Sequence, residues 1–217
     1  MYSPTAKLSE HFTLDQFTKT NQPLSQPNMP DQIWQFENLE ILADVGERLI
    51  YEIGPFDVIS AFRTNELQRA LASSGEPTGS GSMSFHEAGR AFDIFPRTMS
   101  ITEFFGRILA NEELQSLFTE IAIKPTQNTL HLAINVPGDI RSPKITALNQ
   151  EGVYAKLSLD EIASYIEPFM ASAAEAYDYA AAKLVTWNKT PLILGLVAAL
   201  GGVLYLAFAR PRKRIRP

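Results

Sequence analysis

The stretch Ser84-Phe85-His86-Glu87-Ala88-Gly89-Arg90-Ala91-Phe92-Asp93, taken together with Leu130-His131-Leu132, decides how this chain is read. The two segments hold two of the three histidines in the protein and one aspartate, enough donors to close on a single divalent metal. Catalytic zinc sites are commonly built from three nitrogen or oxygen ligands with a fourth position open for water. Asp93 stands in Ala91-Phe92-Asp93-Ile94-Phe95, where the period of two in a strand sets it opposite Phe92 and Ile94. A carboxylate on a largely apolar strand needs a partner, because burying it unpaired is costly. His131 holds a similar place in Leu130-His131-Leu132-Ala133-Ile134, and His86 lies in the loop that feeds the Asp93 strand. An isolated histidine in an apolar strand is more often a hydrogen-bonded core residue than a ligand, so spacing alone leaves both readings open.

Composition narrows the choices. A chain of 217 residues with 45% hydrophobic content buries one ordinary core, so one globular domain with accessory segments is expected. Cysteine is absent, which leaves imidazole and carboxylate as the metal donors. The net charge of -5 hides an asymmetry: five of the 19 basic residues (Arg210, Arg212, Lys213, Arg214 and Arg216) lie in the last eight positions. The first 209 positions carry 14 basic against 24 acidic residues, a charge of -10. So acidic a body argues against non-specific nucleic-acid binding by the main domain.

Residues 191–209 form a run of 19 residues without a charge. As a helix this run would rise roughly 28 Å, close to the hydrocarbon thickness of a bilayer. It reads as a transmembrane helix, with Trp187 and Lys189 before it and the basic tail 210–217 after it as interfacial anchors. Upstream, Ser158-Leu159-Asp160-Glu161 has the form of a capping box, so a helix is expected to begin there. The alanine-rich stretch that follows, with Pro168 as a kink or break, reads as a helical stalk over 158–190. Residues 137–157, with Pro137-Gly138-Asp139 and Ser142-Pro143, read as turn and linker.

The N-terminal region alternates helix and strand. Thr13 is placed to cap a short helix through Phe17. Ile33, Phe36, Leu39, Leu42, Val45, Leu49 and Ile50 recur at helical spacing, which predicts a long amphipathic helix stopped by Gly54-Pro55. A strand is expected over 56–60, a helix over 65–72, a glycine-serine loop over 75–84 and a strand over 90–95. A helix over 101–109 and two final strands over 120–123 and 130–134 complete the pattern. This order predicts an α+β domain with a small, largely antiparallel sheet flanked by helices.

The pattern Ser84-x-His86-x-x-Gly89-x-Ala91-x-Asp93 resembles the signature of the zinc D-Ala-D-Ala carboxypeptidases and L-Ala-D-Glu endopeptidases of bacterial cell-wall metabolism and phage lysis. The resemblance extends back to Ile59-Ser60-Ala61-Phe62-Arg63-Thr64, similar to that family's strand ending in Ser-x-aromatic-Arg, and forward to Leu130-His131. Phe12-Thr13-Leu14 and the helix from Ile33 are similar to the start of phage-encoded members, so residues 8–136 are covered. The resemblance implies a zinc peptidase-like domain over 1–136 in which His86, Asp93 and His131 are zinc ligands. Arg63 is implied as the arginine that binds or polarises the substrate carbonyl, and Ser84 as a residue that orients substrate or a ligand.

One position departs from the family. Where well-known members place an Asp or Glu as general base, three residues before the last histidine, this chain has Asn128. Asparagine can hold water by a hydrogen bond but cannot take its proton. General-base help is commonly worth about 10²- to 10⁴-fold, so Glu120 and Glu87 become candidates for a replacement base. The expectation is a membrane-anchored zinc peptidase cutting the peptide stems of peptidoglycan; the alternative is a peptidoglycan-binding structural protein without turnover. The tail's basic residues disfavour translocation, which sets the domain on the outer side, yet the first residues lack the form of a secretory signal. A phage virion with an internal membrane reconciles the two, with virion proteins as neighbours and the basic tail on nucleic acid or anionic lipid. A bacterial inner-membrane enzyme is the alternative location.

Overall fold

The computed structural model describes residues 3–75, 83–150, 152–170 and 172–187. Six strands form one mixed sheet: β1 (Phe56–Ser60), β2 (Ala91–Pro96), β3 (Phe118–Lys124), β4 (Thr129–Ile134), β5 (Lys144–Leu148) and β6 (Tyr154–Lys156). Their order across the sheet is β1-β2-β4-β3-β5-β6, and all neighbours are antiparallel except β3 and β5. The helices are α1 (Leu14–Thr18), α2 (Ile33–Glu52), α3 (Asn65–Ser73), α4 (Ile101–Ala110), α5 (Glu112–Gln115), α6 (Leu159–Ile166) and α7 (Ala173–Trp187). The class is α+β.

Strand alternation gives the sheet two unlike faces. Phe92 and Ile94 on β2, Leu130, Leu132 and Ile134 on β4, and Ile121 and Ile123 on β3 are all buried. They share the core with Leu39, Leu42 and Leu49 of α2 and with Phe104, Phe105 and Ile108 of α4. Rings of Phe12, Phe56 and Phe92 stack in series, and Phe104 meets Phe56 edge-on. Such aromatic contacts add to area burial and fix the sheet against its helices. The other face carries polar groups: Asp93 is paired with His131, and His131 with Ala122. Period-two alternation places Glu120 and Lys124 on that same face, with Lys144 beside Glu120.

Two expectations about the C-terminal half are corrected. Residues 137–157 are not a linker: they supply β5 and β6, which extend the sheet. The described part of 158–190 is helical but is not a free-standing stalk. Ile162 and Ile166 of α6 and Ala176 and Ala180 of α7 lie in the same core as α4. Gly106 of α4 lets α6 approach, since a Cβ there would overlap the Tyr165 carbonyl oxygen. Among the described residues no helix is long and apolar enough to cross a membrane. The expected span 191–209 and the basic tail 210–217 lie outside the described residues, as does most of the glycine-serine loop.

Candidate metal centre

His86 is delivered by a loop that α2 holds from behind. Gln35 Nε2 donates to the Glu87 carbonyl at 2.9 Å and Asn38 Nδ2 to the Ala88 carbonyl at 2.8 Å. Gly89 completes the contact. Its φ of +70° belongs to the left-handed region, and a Cβ there would lie 2.7 Å from the Gln35 carbonyl oxygen. Ser84 and Glu87 close the loop from within: Ser84 N donates to Glu87 Oε2 at 2.7 Å, and Glu87 N to Ser84 Oγ at 3.1 Å. Glu87 is thereby engaged in the turn rather than at the ligands. Ser84 borders the same cavity as His86 and His131.

The β1–α3 connection carries Arg63 and is pinned by the buried Asn28. Its Nδ2 donates to the Thr18 and Phe62 carbonyls, and its Oδ1 accepts from Thr64 N. Arg63 N in turn donates to the His86 carbonyl at 3.3 Å, which ties the two loops together.

One donor atom from each of His86, Asp93 and His131 lies within 4.8 Å of the others, so the three could hold a metal ion. His131 Nδ1 is 3.0 Å from Asp93 Oδ1, and His86 Nε2 is 3.7 Å from Asp93 Oδ2. Tetrahedral ligands at ordinary zinc bond lengths stand about 3.4 Å apart, so these separations bracket that value. His86 Nδ1 lies 2.6 Å from the Ala61 carbonyl oxygen, which can only accept. That bond places the proton on Nδ1 and leaves the Nε2 lone pair facing Asp93, the usual outer support of a metal-bound histidine. Burial, helped by the Arg63 charge, pushes the His86 pKa well below its ordinary value, so the ring is neutral and able to ligate.

Asp93 is also held by two cations. Arg63 Nη2 donates to Oδ2 at 2.9 Å, and Lys124 Nζ donates to Oδ1 at 2.9 Å. Burial opposes ionisation of Asp93, but the Lys124 charge and the His131 hydrogen bond outweigh it and hold the carboxyl well below the usual range. Lys124 is itself buried, and although burial works to lower its pKa, Asp93 and Tyr154 raise it above the ordinary value. The donor set therefore fits a divalent ion, while the Lys124 ammonium lies on the same carboxylate. A dication held by Asp93 Oδ1 would lie within about 5 Å of an ammonium in this position, a repulsion of about 7 kcal/mol at an effective dielectric of 20.

Two cavities meet at this network. One of about 220 Å³ is bordered by Ser84, His86, Glu120, His131, Lys144 and Tyr154. The other, about 450 Å³, is bordered by Ser60, Arg63, Leu67, Asp93 and Gln127. Lys124 lines both. Asn128 lines neither: it caps a 3₁₀ turn (Pro125–Gln127) with φ +53° and is exposed. It stands three positions before His131, with Thr129 and Leu130 between them, a span of at most about 10 Å. Glu120 does border the His86 and His131 cavity, with Lys144 Nζ at 3.6 Å from its Oε1.

Lys124, Lys144 and Tyr154 escaped the sequence reading. Lys124 precedes Pro125 and reads as the start of a turn, yet alternation through Glu120 and Ala122 was the signal that it faces the site. Lys144 and Tyr154 belong to the segment read as linker.

Comparison with known proteins returns no match to the chain, whether among protein-family models, curated proteins or solved structures.

Proposed function

We propose that this chain is a membrane-anchored, zinc-dependent peptidase acting on the peptide stems of peptidoglycan, of the carboxypeptidase and endopeptidase family its sequence resembles, in a phage virion or bacterial envelope. The observation that carries it is the convergence of His86, Asp93 and His131, with the His86 tautomer set by the Ala61 carbonyl. When bound there, zinc supplies Lewis-acid polarisation of an amide carbonyl and activates water for attack. His86, Asp93 and His131 hold it. Arg63, which borders the larger cavity, donates to the carbonyl of a stem peptide lying across the network. Ser84 orients substrate from the opposite side. Glu120 is the carboxylate that shares the cavity with both histidines, and it takes the base role that exposed Asn128 does not fill.

A second reading is favoured by Lys124 on Asp93: a protein that binds cell-wall peptides without cutting them. Incubating full-length protein in detergent with purified peptidoglycan and zinc separates the two. The peptidase reading expects released stem peptides by mass spectrometry, abolished in His131→Ala. Co-sedimentation with the wall and no released peptide at full zinc occupancy would leave the binding reading alone.

A further inference from the structure

We propose that Lys124 is an intramolecular competitor for the metal position: its ammonium closes the His86–Asp93–His131 centre, and a divalent ion binds only when Lys124 leaves Asp93. This deepens the metal-centre reading and rests on it. Three observations carry it.

The first is direct contact. Lys124 Nζ donates to Asp93 Oδ1 at 2.9 Å, and His131 Nδ1 lies 3.0 Å from that same oxygen. The lysine therefore occupies one of the atoms the metal would take. The second is burial. Side-chain exposures are 10% for Lys124 and 8% for Asp93, so the pair is shielded from solvent and the contact is not a surface ion pair of little weight. The third is charge. Arg63 and Lys124 both donate to one carboxylate, so the network already has one more cation than it has anions. Adding a dication without moving Lys124 would take that excess from one charge to three, whereas expelling the ammonium holds it to two.

The structure also provides a place for the ammonium to go. Lys124 borders both cavities, and the smaller one holds the Tyr154 phenol and the Glu120 carboxylate. Tyr154 already interacts with the lysine. Rotation of the side chain within that cavity would exchange the Asp93 carboxylate for the Tyr154 phenol and solvent without moving β3.

The outcome is an affinity set by exchange of one cation for another. Lys124→Met keeps the length and removes the charge; Lys124→Gln keeps a hydrogen-bond donor and removes the charge. Zinc titration of the full-length protein in detergent against a chromophoric chelator should show both variants binding tighter than the wild type by about tenfold or more, the lower end of measured couplings between close charge pairs. In the wild type, saturating zinc should increase acylation of Lys124 by an amine-reactive probe, read by mass spectrometry, because the released ammonium reaches the open cavity. This second measurement decides the matter if the variants do not fold. Equal or weaker zinc affinity in folded variants overturns the competition while leaving the metal centre standing, as does unchanged Lys124 labelling in zinc-saturated wild type. If neither wild type nor folded variants bind zinc, the metal centre and the competition fall together.

Discussion

Replacing Asp93 by asparagine should cost far more stability than an ordinary polar substitution. Asp93 is 5% exposed and is the shared partner of Arg63 and Lys124, each at 2.9 Å, with side-chain exposures of 8% and 10%. Asparagine fills the same volume but leaves two cations without a counter-charge in a poorly solvated site. Removing one partner of a buried ion pair typically costs about 3–5 kcal/mol. Lys124 can recover part of that by turning into the cavity it borders, whereas Arg63 keeps, among the described residues, the neutral Ser60 Oγ, which accepts from its Nε at 3.0 Å. We therefore expect a loss of about 3–5 kcal/mol, towards the lower end if Lys124 relaxes. Urea unfolding of chelator-treated protein, followed by far-ultraviolet circular dichroism, measures it. Adding Lys124→Met to Asp93→Asn should return part of the loss, because one of the stranded charges is gone. A loss below about 1 kcal/mol, the scale of a surface pair, would refute the reasoning, and so would a double variant no more stable than Asp93→Asn.

Gly89→Ala should destabilise the His86 loop by about 1–3 kcal/mol, the scale of a non-glycine residue forced into the left-handed region. It should also weaken zinc binding, which calorimetry with the folded variant would register. His11 tests electrostatics away from the centre. The Glu47 carboxylate accepts its ring hydrogen bond and raises its pKa above 6.5. The stabilisation from this pair is thus complete below pH 6.5 and fades as pH rises through the folded-state pKa. A proton NMR titration should place the His11 midpoint above 6.5, and Glu47→Gln should return it towards that value.

Most of the N-terminal region was legible because its signals are local. The helical recurrence from Ile33 ends at Gly54, whose φ of +144° suits glycine, and α2 ends at Glu52. Thr13 and Ser158 stand at helix N-termini as their sequence contexts suggest, and Thr64 and Ser100 cap α3 and α4 in the structure. The alternation around Asp93 and His131 was legible for the same reason, and direct pairing of the two residues across β2 and β4 brings them together. What stayed hidden depends on distant pairing. Strand β5 runs parallel to β3, with β4 and a turn between them in sequence, so Pro137-Gly138 and Ser142-Pro143 outweighed the short apolar alternation that follows. The alanines of α7 read as helix propensity alone, yet Ala176 and Ala180 are buried, and their small side chains serve close packing. The position of Asn128 relative to His131 could not be read from a three-residue spacing, because Asn128 is itself the left-handed residue that closes a 3₁₀ turn, so the alternation of β4 does not extend back to it.

The most direct test of the metal centre is a crystal structure of zinc-soaked protein with anomalous data collected on both sides of the zinc absorption edge. The account predicts a single strong anomalous peak within bonding distance of His86 Nε2, an Asp93 carboxylate oxygen and His131 Nδ1, with Lys124 Nζ no longer on Asp93. A map with no peak among these three residues at saturating zinc, and Lys124 still bonded to Asp93, would contradict it.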